Sequence, residues 1–170
     1  LETAQVENYR RSLDLQRGLL DVRFTIGNTQ YTRNAFISYP DQVLTIRLST
    51  RGSDKLRFRS RMDRNRALDS SGHSGKDCIH FSGHNGEDGI AFSCMLRCIE
   101  TDGNVQAVGD FLLIENATQA TLCLSAATSF RTDDPLALCI TRLAEAKKQG
   151  YENLLSRHLM DFNAHMETVR

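Results

Sequence analysis

The sequence predicts a mainly β protein, an antiparallel β-sandwich followed by two helices at the C-terminal end. Apolar and polar residues alternate in short runs through residue 130, which is the period of strands with one buried face. Turn-forming residues separate these runs about every 8 to 12 residues, a spacing typical of sandwiches. After Asp133-Asp134-Pro135 the apolar period changes from two to about 3.6 residues, the period of a helix.

Composition limits the classes of function. The chain has 170 residues, 40% of them hydrophobic and 25% charged, which suits one domain of ordinary size. Lys plus Arg and Asp plus Glu number 21 each, so the zero formal net charge gives no overall field that attracts nucleic acid or an anionic membrane. No uninterrupted apolar run approaches the ~20 residues of a membrane-spanning helix. We therefore expect neither a nucleic-acid nor a membrane partner.

Strands are predicted from Leu20 onward. Leu20, Val22, Phe24 and Ile26 alternate with polar residues, and Gly27-Asn28 supplies a turn. Residues 63–75 hold few apolar side chains and predict a loop. Asp102-Gly103 predicts a two-residue hairpin turn. The other predicted strands share the alternating pattern and cover residues 29–38, 43–49, 55–61, 78–82, 90–101, 104–108, 110–115 and 119–127, about nine or ten strands in total.

The last forty residues predict two helices. An acidic N-cap followed by Pro135 is a strong helix start, because proline lacks only an amide that would be unpaired there. Gly150 is expected to end the first helix, after Lys147 and Lys148 in its last turn. Each helix carries an apolar stripe, in the first Leu136, Cys139, Ile140 and Leu143, and in the second Leu154, Leu155, His158, Leu159, Phe162, Met166 and Val169.

The five cysteines and one sequon leave the compartment open. The cysteines are an odd number without a zinc-type spacing, so we expect buried free thiols. Cys94 and Cys98 share a strand face with Phe92 and Leu96, which places them in the core. The sequon Asn116-Ala-Thr118 makes Asn116 a candidate N-glycosylation site if the protein is secreted.

Candidate catalytic residues have simple structural explanations. His80 and His84, near Asp88, could meet at a metal, but no third ligand is fixed by spacing, so we expect no metal and no cofactor. His158 lies on an apolar helix face, which favours a core histidine, and Asp161 could hold its ring. The paired carboxylates, Glu87-Asp88 and Asp133-Asp134, lie at turns, where capping and solvation explain them.

Other motifs exclude or weaken further classes. The nucleophile elbow, the P-loop and the dinucleotide fingerprint are all absent from the sequence. The basic segment 51–66 would line one strand face with Arg57, Arg59 and Arg61, a pattern able to bind phosphate or an acidic surface. Phe58 falls on the opposite face, so a base-stacking platform is poorly supported. We assign no catalytic, cofactor-binding or metal-binding residue.

A family resemblance links several of these segments. Residues 9–15 and 27–41, "YRRSLDL" and "GNTQYTRNAFISYPD", resemble the N-terminal β-domain of glycoside hydrolase family 95, the α-L-fucosidase family. The segments "TLCLSAATSF" at 121–130 and "YENLLSRHLMDF" at 151–162 resemble a strand and a helix of the same family, with Phe162 in place of an aromatic phenol. These segments follow the family's order and together extend over almost the whole chain.

The resemblance implies a sandwich of the sugar-hydrolase super-sandwich type. Residues 1–131 would form the sandwich, without its first strands, and residues 132–170 would link it to an (α/α)6 catalytic barrel. The implied parent hydrolyses terminal α-L-fucosides or α-L-galactosides of oligo- or polysaccharides with inversion. The chain itself would be a non-catalytic fragment that contacts the barrel through Leu155, Leu159, Phe162 and Met166.

Two other interpretations stay open. A stand-alone carbohydrate-binding or protein-interaction module would need an exposed aromatic platform, which a chain with no Trp and four Tyr supplies weakly. An independent enzyme would need a metal at His80 and His84. The sequence starts at Leu1 and stops inside a predicted helix, so we expect a piece of a longer polypeptide.

Overall fold

The computed structural model describes residues 5–64, 67–86 and 89–169. Over these residues the chain forms eleven strands, a long helix and a final 3-10 turn at Glu167–Val169. The mainly β fold with a helical C-terminal element is confirmed. In chain order the strands β1 to β11 are Val6–Asp14, Leu19–Ile26, Thr29–Ser38, Val43–Arg51, Leu56–Arg61, Ser70–His73, Cys78–His84, Ala91–Thr101, Asn104–Val108, Phe111–Ala117 and Gln119–Thr128, and the helix α1 is Pro135–Met166.

The strands form two antiparallel sheets. The large sheet has the order β1-β2-β3-β4-β11-β8-β7-β6, and the small sheet has the order β5-β10-β9. β11 therefore pairs with both β4 and β8 and completes the centre of the large sheet. Its residues alternate between Leu122, which faces the small sheet, and Cys123, which faces the helix. Both faces of the middle of this strand are therefore buried.

Two apolar cores hold these layers together. The sandwich core lies between the sheets and includes Leu112 and Ile114, which are fully buried. The second core lies between the large sheet and α1, and it includes Leu143 and Leu154 from the helix. Because alternate residues of a strand point to opposite faces, the same central strands supply both cores.

Two strands and the helix count differ from the prediction. β1 was not predicted as a separate strand, and β6 lies inside the predicted loop 63–75. Both are outer strands of the large sheet with one neighbour each, so their residues are mostly exposed and carry little apolar periodicity. The structure has one helix instead of two. The run Pro135–Met166 continues through Gly150, whose backbone is non-helical, so the predicted stop is a kink.

Gly150 occupies a backbone conformation that depends on glycine. Its φ of 72° and ψ of 169° lie in a region that other residues rarely adopt. A Cβ atom built at this position would lie 2.6 Å from Oε1 of Glu100. The kink thus requires both the conformational freedom of glycine and the absence of its side chain.

We expect Gly150→Ala to lower the free energy of unfolding by about 2–3 kcal/mol, because strain at this φ/ψ adds to the contact with Glu100. Gly109→Ala is the matched control, since Gly109 also has a positive φ but a Cβ there meets no atom within 4 Å. We expect the control to cost about 1 kcal/mol. Urea unfolding of both variants measures the difference, and equal costs would refute the contact as a source of destabilisation.

Candidate functional site

Buried and half-buried carboxylates of the large sheet bind the helix. Glu100 accepts a hydrogen bond from the guanidinium of Arg47 at 2.6 Å and another from the amide of Tyr151 at 3.0 Å. Arg47 also bonds Thr121 and Glu152, and it stacks 3.6 Å above the Tyr151 ring. Glu100 thereby caps the helical segment that begins after the kink, where backbone amides have no helical partner.

Two further carboxylates bind other parts of the helix. Asp77 accepts hydrogen bonds from Lys147 at 2.7 Å and from Arg97 at 3.2 Å. Burial alone would raise the pKa of Asp77, but these two cations outweigh burial and hold the pKa below its ordinary value. On the other flank, Asp41 accepts from Gln149 at 3.2 Å and from Arg157 at 2.9 Å.

His158 is a core histidine, as predicted. It is 4% exposed, its Nε2 lies 2.9 Å from the carbonyl oxygen of Arg17, and its ring stacks on Phe36 at 4.9 Å. Asp161 does not hold this ring, because it pairs instead with His165 at 3.8 Å, one turn further along the helix. His158 therefore joins α1 to the β1–β2 turn.

The other histidines do not converge on a metal site within the described residues. No group of three or more His, Cys, Asp or Glu in that part of the chain is placed to hold a metal ion. His84 bonds to Asp69 on the surface. Nδ1 of His80 is buried and has no hydrogen-bond partner among the described residues. Asp88, which was considered as a ligand together with His80 and His84, lies outside the described residues. The same holds for Glu87, its partner in the predicted carboxylate pair.

All five cysteines are free, as expected from their number and spacing. Cys98 lies in the sandwich core beside Leu96, and burial raises the pKa of its thiol to about 12. The half-buried Cys94 approaches Met62 at 3.7 Å, and burial raises its thiol pKa to about 11. These thiols are protonated at neutral pH, so they are not nucleophiles.

The basic strand β5 carries its charges outward, as the alternation predicts. Its arginines lie on the outer face of the small sheet, where Arg57 pairs with Glu115 at 3.1 Å and Arg61 with Asp110 at 2.7 Å. Arg59 lies 5.2 Å from the centre of the Phe111 ring. Neighbouring carboxylates thus neutralise much of the charge of this strand.

The helix N-cap lies in an exposed turn, and the sequon lies at the end of β10. Asp134 accepts a hydrogen bond from the Ala137 amide at 2.9 Å, which confirms it as the N-cap of α1. Asn116 is exposed and has a φ of 58° near the end of β10, where the pairing with β5 is irregular. The hydroxyl of Thr118 donates a hydrogen bond to the carboxylate of Asp102. Glycosylation of Asn116 stays a prediction.

The predicted docking stripe of the helix is partly covered within this chain. Leu155 packs against the helix–sheet core, and Phe162 contacts Gly18 and the His158 ring. Leu159 is half-buried, and Met166 is 36% exposed. The side chain of Val169 lies outside the described residues.

Two surface cavities were not predicted from the sequence. A polar pocket of about 310 Å³ lies on the helix-facing side of β1, β2 and β3. The charged and amide side chains that line this polar pocket are Arg10, Asp14, Arg17, Asp21, Arg23 and Asn34. On the opposite face an apolar groove of about 600 Å³ lies between β5 and β2–β3, lined by Val6, Phe24, Ile26, Tyr31 and Leu56 among others. The sequence feature that could have predicted the polar pocket is the alternation of charged residues in β1 and β2.

The described residues form a β-sandwich with a helix bound to one sheet by carboxylates, and similarity to known proteins identifies the class of this domain. Residues 1–133 match the model described as "Glycosyl hydrolase family 65, N-terminal domain". The chain belongs to this family. The predicted N-terminal domain of a glycoside hydrolase is therefore confirmed.

Two curated relatives carry fucosidase names. Alpha-L-fucosidase 2 of Arabidopsis thaliana is 25% identical over 91% of this chain and 22% of its own length. Probable alpha-fucosidase A of Aspergillus niger is 42% identical over 31% of this chain and 7% of its own length. The chain thus spans about a fifth of the first relative.

Solved structures share the fold. A chain described as a kojibiose phosphorylase from the human microbiome superposes with a TM-score of 0.73 at 15% identity, covering 95% of this chain and 25% of that one. A bacterial glucoamylase gives a TM-score of 0.59 at 11% identity, covering 98% of this chain and 29% of that one. In the described residues, no helix has the length and apolarity needed to cross a membrane.

The Asp77 site predicts acid sensitivity. A carboxyl with a lowered folded pKa contributes stability above its unfolded value, about 3.8, and that contribution is lost as pH falls through the folded pKa. We expect Asp77→Asn to cost about 1–3 kcal/mol at pH 7 and progressively less below pH ~4.

Urea unfolding across this pH range measures the effect, and Asp63→Asn serves as the control. Asp63 is exposed, and its nearest cation, Arg61, lies 3.9 Å away, which is long for an ion pair. Replacement of Asp63 should therefore change the free energy of unfolding little at any pH. A pH-independent cost of Asp77→Asn would contradict the assignment of acid sensitivity to this carboxyl.

Proposed function

We propose that this chain is the non-catalytic N-terminal domain of an α-L-fucosidase-like glycoside hydrolase. The observation that carries the proposal is the match of residues 1–133 to an N-terminal hydrolase domain, together with a fucosidase relative aligned over 91% of the chain. The carboxylates Asp41, Asp77 and Glu100 support a scaffold role, because each is bonded to the helix. The parent would hydrolyse a terminal α-L-fucoside or α-L-galactoside with inversion.

The division into a sandwich at 1–131 and a helical connection at 132–170 belongs to this proposal. The connection would lead to an (α/α)6 barrel in the same polypeptide, which would hold the catalytic acid and base. The exposed part of the predicted stripe, Met166 and one side of Leu159, would contact the barrel, with Met160, which is 74% exposed. Leu155 and Phe162 would support this surface from the side of the helix that faces the sheet.

The proposal also includes additional sandwich strands. The small sheet has three strands facing a sheet of eight, and β5 forms its open edge beside the apolar groove. Apolar residues on this side remain exposed, among them Val6 at 51% and Leu13 at 61%. An apolar sheet face beside an unpaired strand edge is the surface that a further strand covers.

We predict that the native gene product is several times longer than 170 residues and releases fucose from a 2-linked fucoside, whereas this chain alone does not. Intact-mass measurement of the native product, followed by a fucose-release assay on both proteins, tests this. A long product that cleaves another glycoside would reject the fucoside assignment alone. A complete product of 170 residues would overturn the proposal, and glycan-array binding would then test the module interpretation.

Hydrogen exchange tests the added strands. Amides of β5 that point away from β10 should exchange rapidly in this chain and become protected in the long product, because a paired edge amide exchanges only on opening. Amides of β10, which is paired on both sides, are the internal control and should be protected in both proteins. Rapid exchange of β5 in the long product would refute the added strand.

A further inference from the structure

The polar pocket defined above carries unbalanced positive charge. Arg23 bonds Asp21 at 2.9 Å, and the amide of Asn34 donates to the same carboxylate at 2.8 Å. The other pocket carboxylate, Asp14, accepts from the backbone amides of Gln16 and Arg17 at 3.0 and 3.1 Å. Both carboxylates are therefore engaged within the pocket.

Two guanidinium groups in the pocket lack such partners. Both side chains are exposed, and within residues 5–64, 67–86 and 89–169 neither guanidinium forms a salt bridge. Arg10 also lies directly opposite Arg23 in the β1–β2 pairing. Like charges directly opposite one another destabilise a sheet. A negative group placed between them would remove this repulsion.

The second half of α1 packs on the β1–β2 turn beside the polar pocket. His158 lies against the carbonyl of Arg17, and a Cβ on Gly18 would lie 2.9 Å from the ring of Phe162. Phe162 lies one turn before the end of α1 at Met166, so a polypeptide that follows α1 starts within about two helical turns of the β1–β2 turn. Arginine forks bind carboxylates in a bidentate geometry that favours docking at a defined orientation.

We propose that this pocket docks carboxylate side chains of the polypeptide that follows α1, with Arg10 and Arg17 as the groups that bind them. The inference rests on the proposed function, because the partner is the catalytic domain of the same chain. It places a charged docking site on the sheet, next to the apolar contacts expected from the helix. The polar pocket would then fix the orientation of the two domains.

The test compares the same charge reversals in the isolated chain and in the native long product. In the isolated chain, Arg10→Glu should raise Tm by about 1–3 °C, because it replaces a like-charge pair opposite Arg23 by an opposite-charge pair. In the long product the same change should lower the Tm of the N-terminal domain. The introduced glutamate would repel the carboxylate of the catalytic domain that is proposed to dock there. Arg17→Glu should lower Tm in the long product as well, and 1 M salt should reduce both effects.

Two further variants make the result specific. Lys76→Glu makes the same charge change in the exposed turn between β6 and β7, at the edge of the large sheet opposite β1, and should shift Tm equally in both proteins. Arg10→Lys keeps the charge but loses the fork, so it should cause a smaller loss in the long product than Arg10→Glu. Equal shifts of Arg10→Glu in both proteins would overturn the docking site while leaving the proposed function intact. A native product of 170 residues would overturn both.

Discussion

The carboxylate of Glu100 is the point on which the helical layer depends. It bonds Arg47 on the neighbouring part of the sheet and the amide of Tyr151 just after the kink. Without this acceptor, the Tyr151 amide would lose this hydrogen bond and Arg47 would lose one of its two carboxylate partners. A buried donor or charge without a partner costs more than the bond itself contributes. The direction of the second half of α1 therefore follows from one side chain of β8.

That direction explains how one helix covers a wide sheet. The first half of α1 runs along β8 and β11, where Cys139 approaches the carbonyls of Ser93 and Ser125. After Gly150 the second half crosses toward β3 and the β1–β2 turn, where it contacts Phe36 and Gly18. The helix thus shields the apolar centre of the sheet and stops at its polar margin.

Much of this architecture could be predicted from the sequence, because alternation and turn chemistry are local. The Asp134 cap and the strand β8 formed as the residues indicate. The prediction of a hairpin at Asp102-Gly103 is wrong, because this turn joins β8 of the large sheet to β9 of the small sheet and the two strands do not pair. The kink was predicted only as a helix stop, since a glycine specifies freedom of φ but not what the next residue contacts. Arg47 and Glu100 lie 53 residues apart, so their pairing depends on the tertiary structure and cannot be predicted from local sequence patterns. The polar pocket was not predicted for the same reason, because Arg10 and Arg23 become neighbours only through the register of β1 and β2.

The central position of β11 has a consequence for synthesis on the ribosome. Thr45 of β4 and Cys123 of β11 are in contact although 78 residues separate them. On its other side β11 pairs with β8. Until β11 emerges, the nascent chain holds two half-sheets with open inner edges, which are prone to wrong pairing. Such non-local closure is slow compared with helix formation. The large sheet therefore cannot close until β11, its last strand in the chain, has been synthesised.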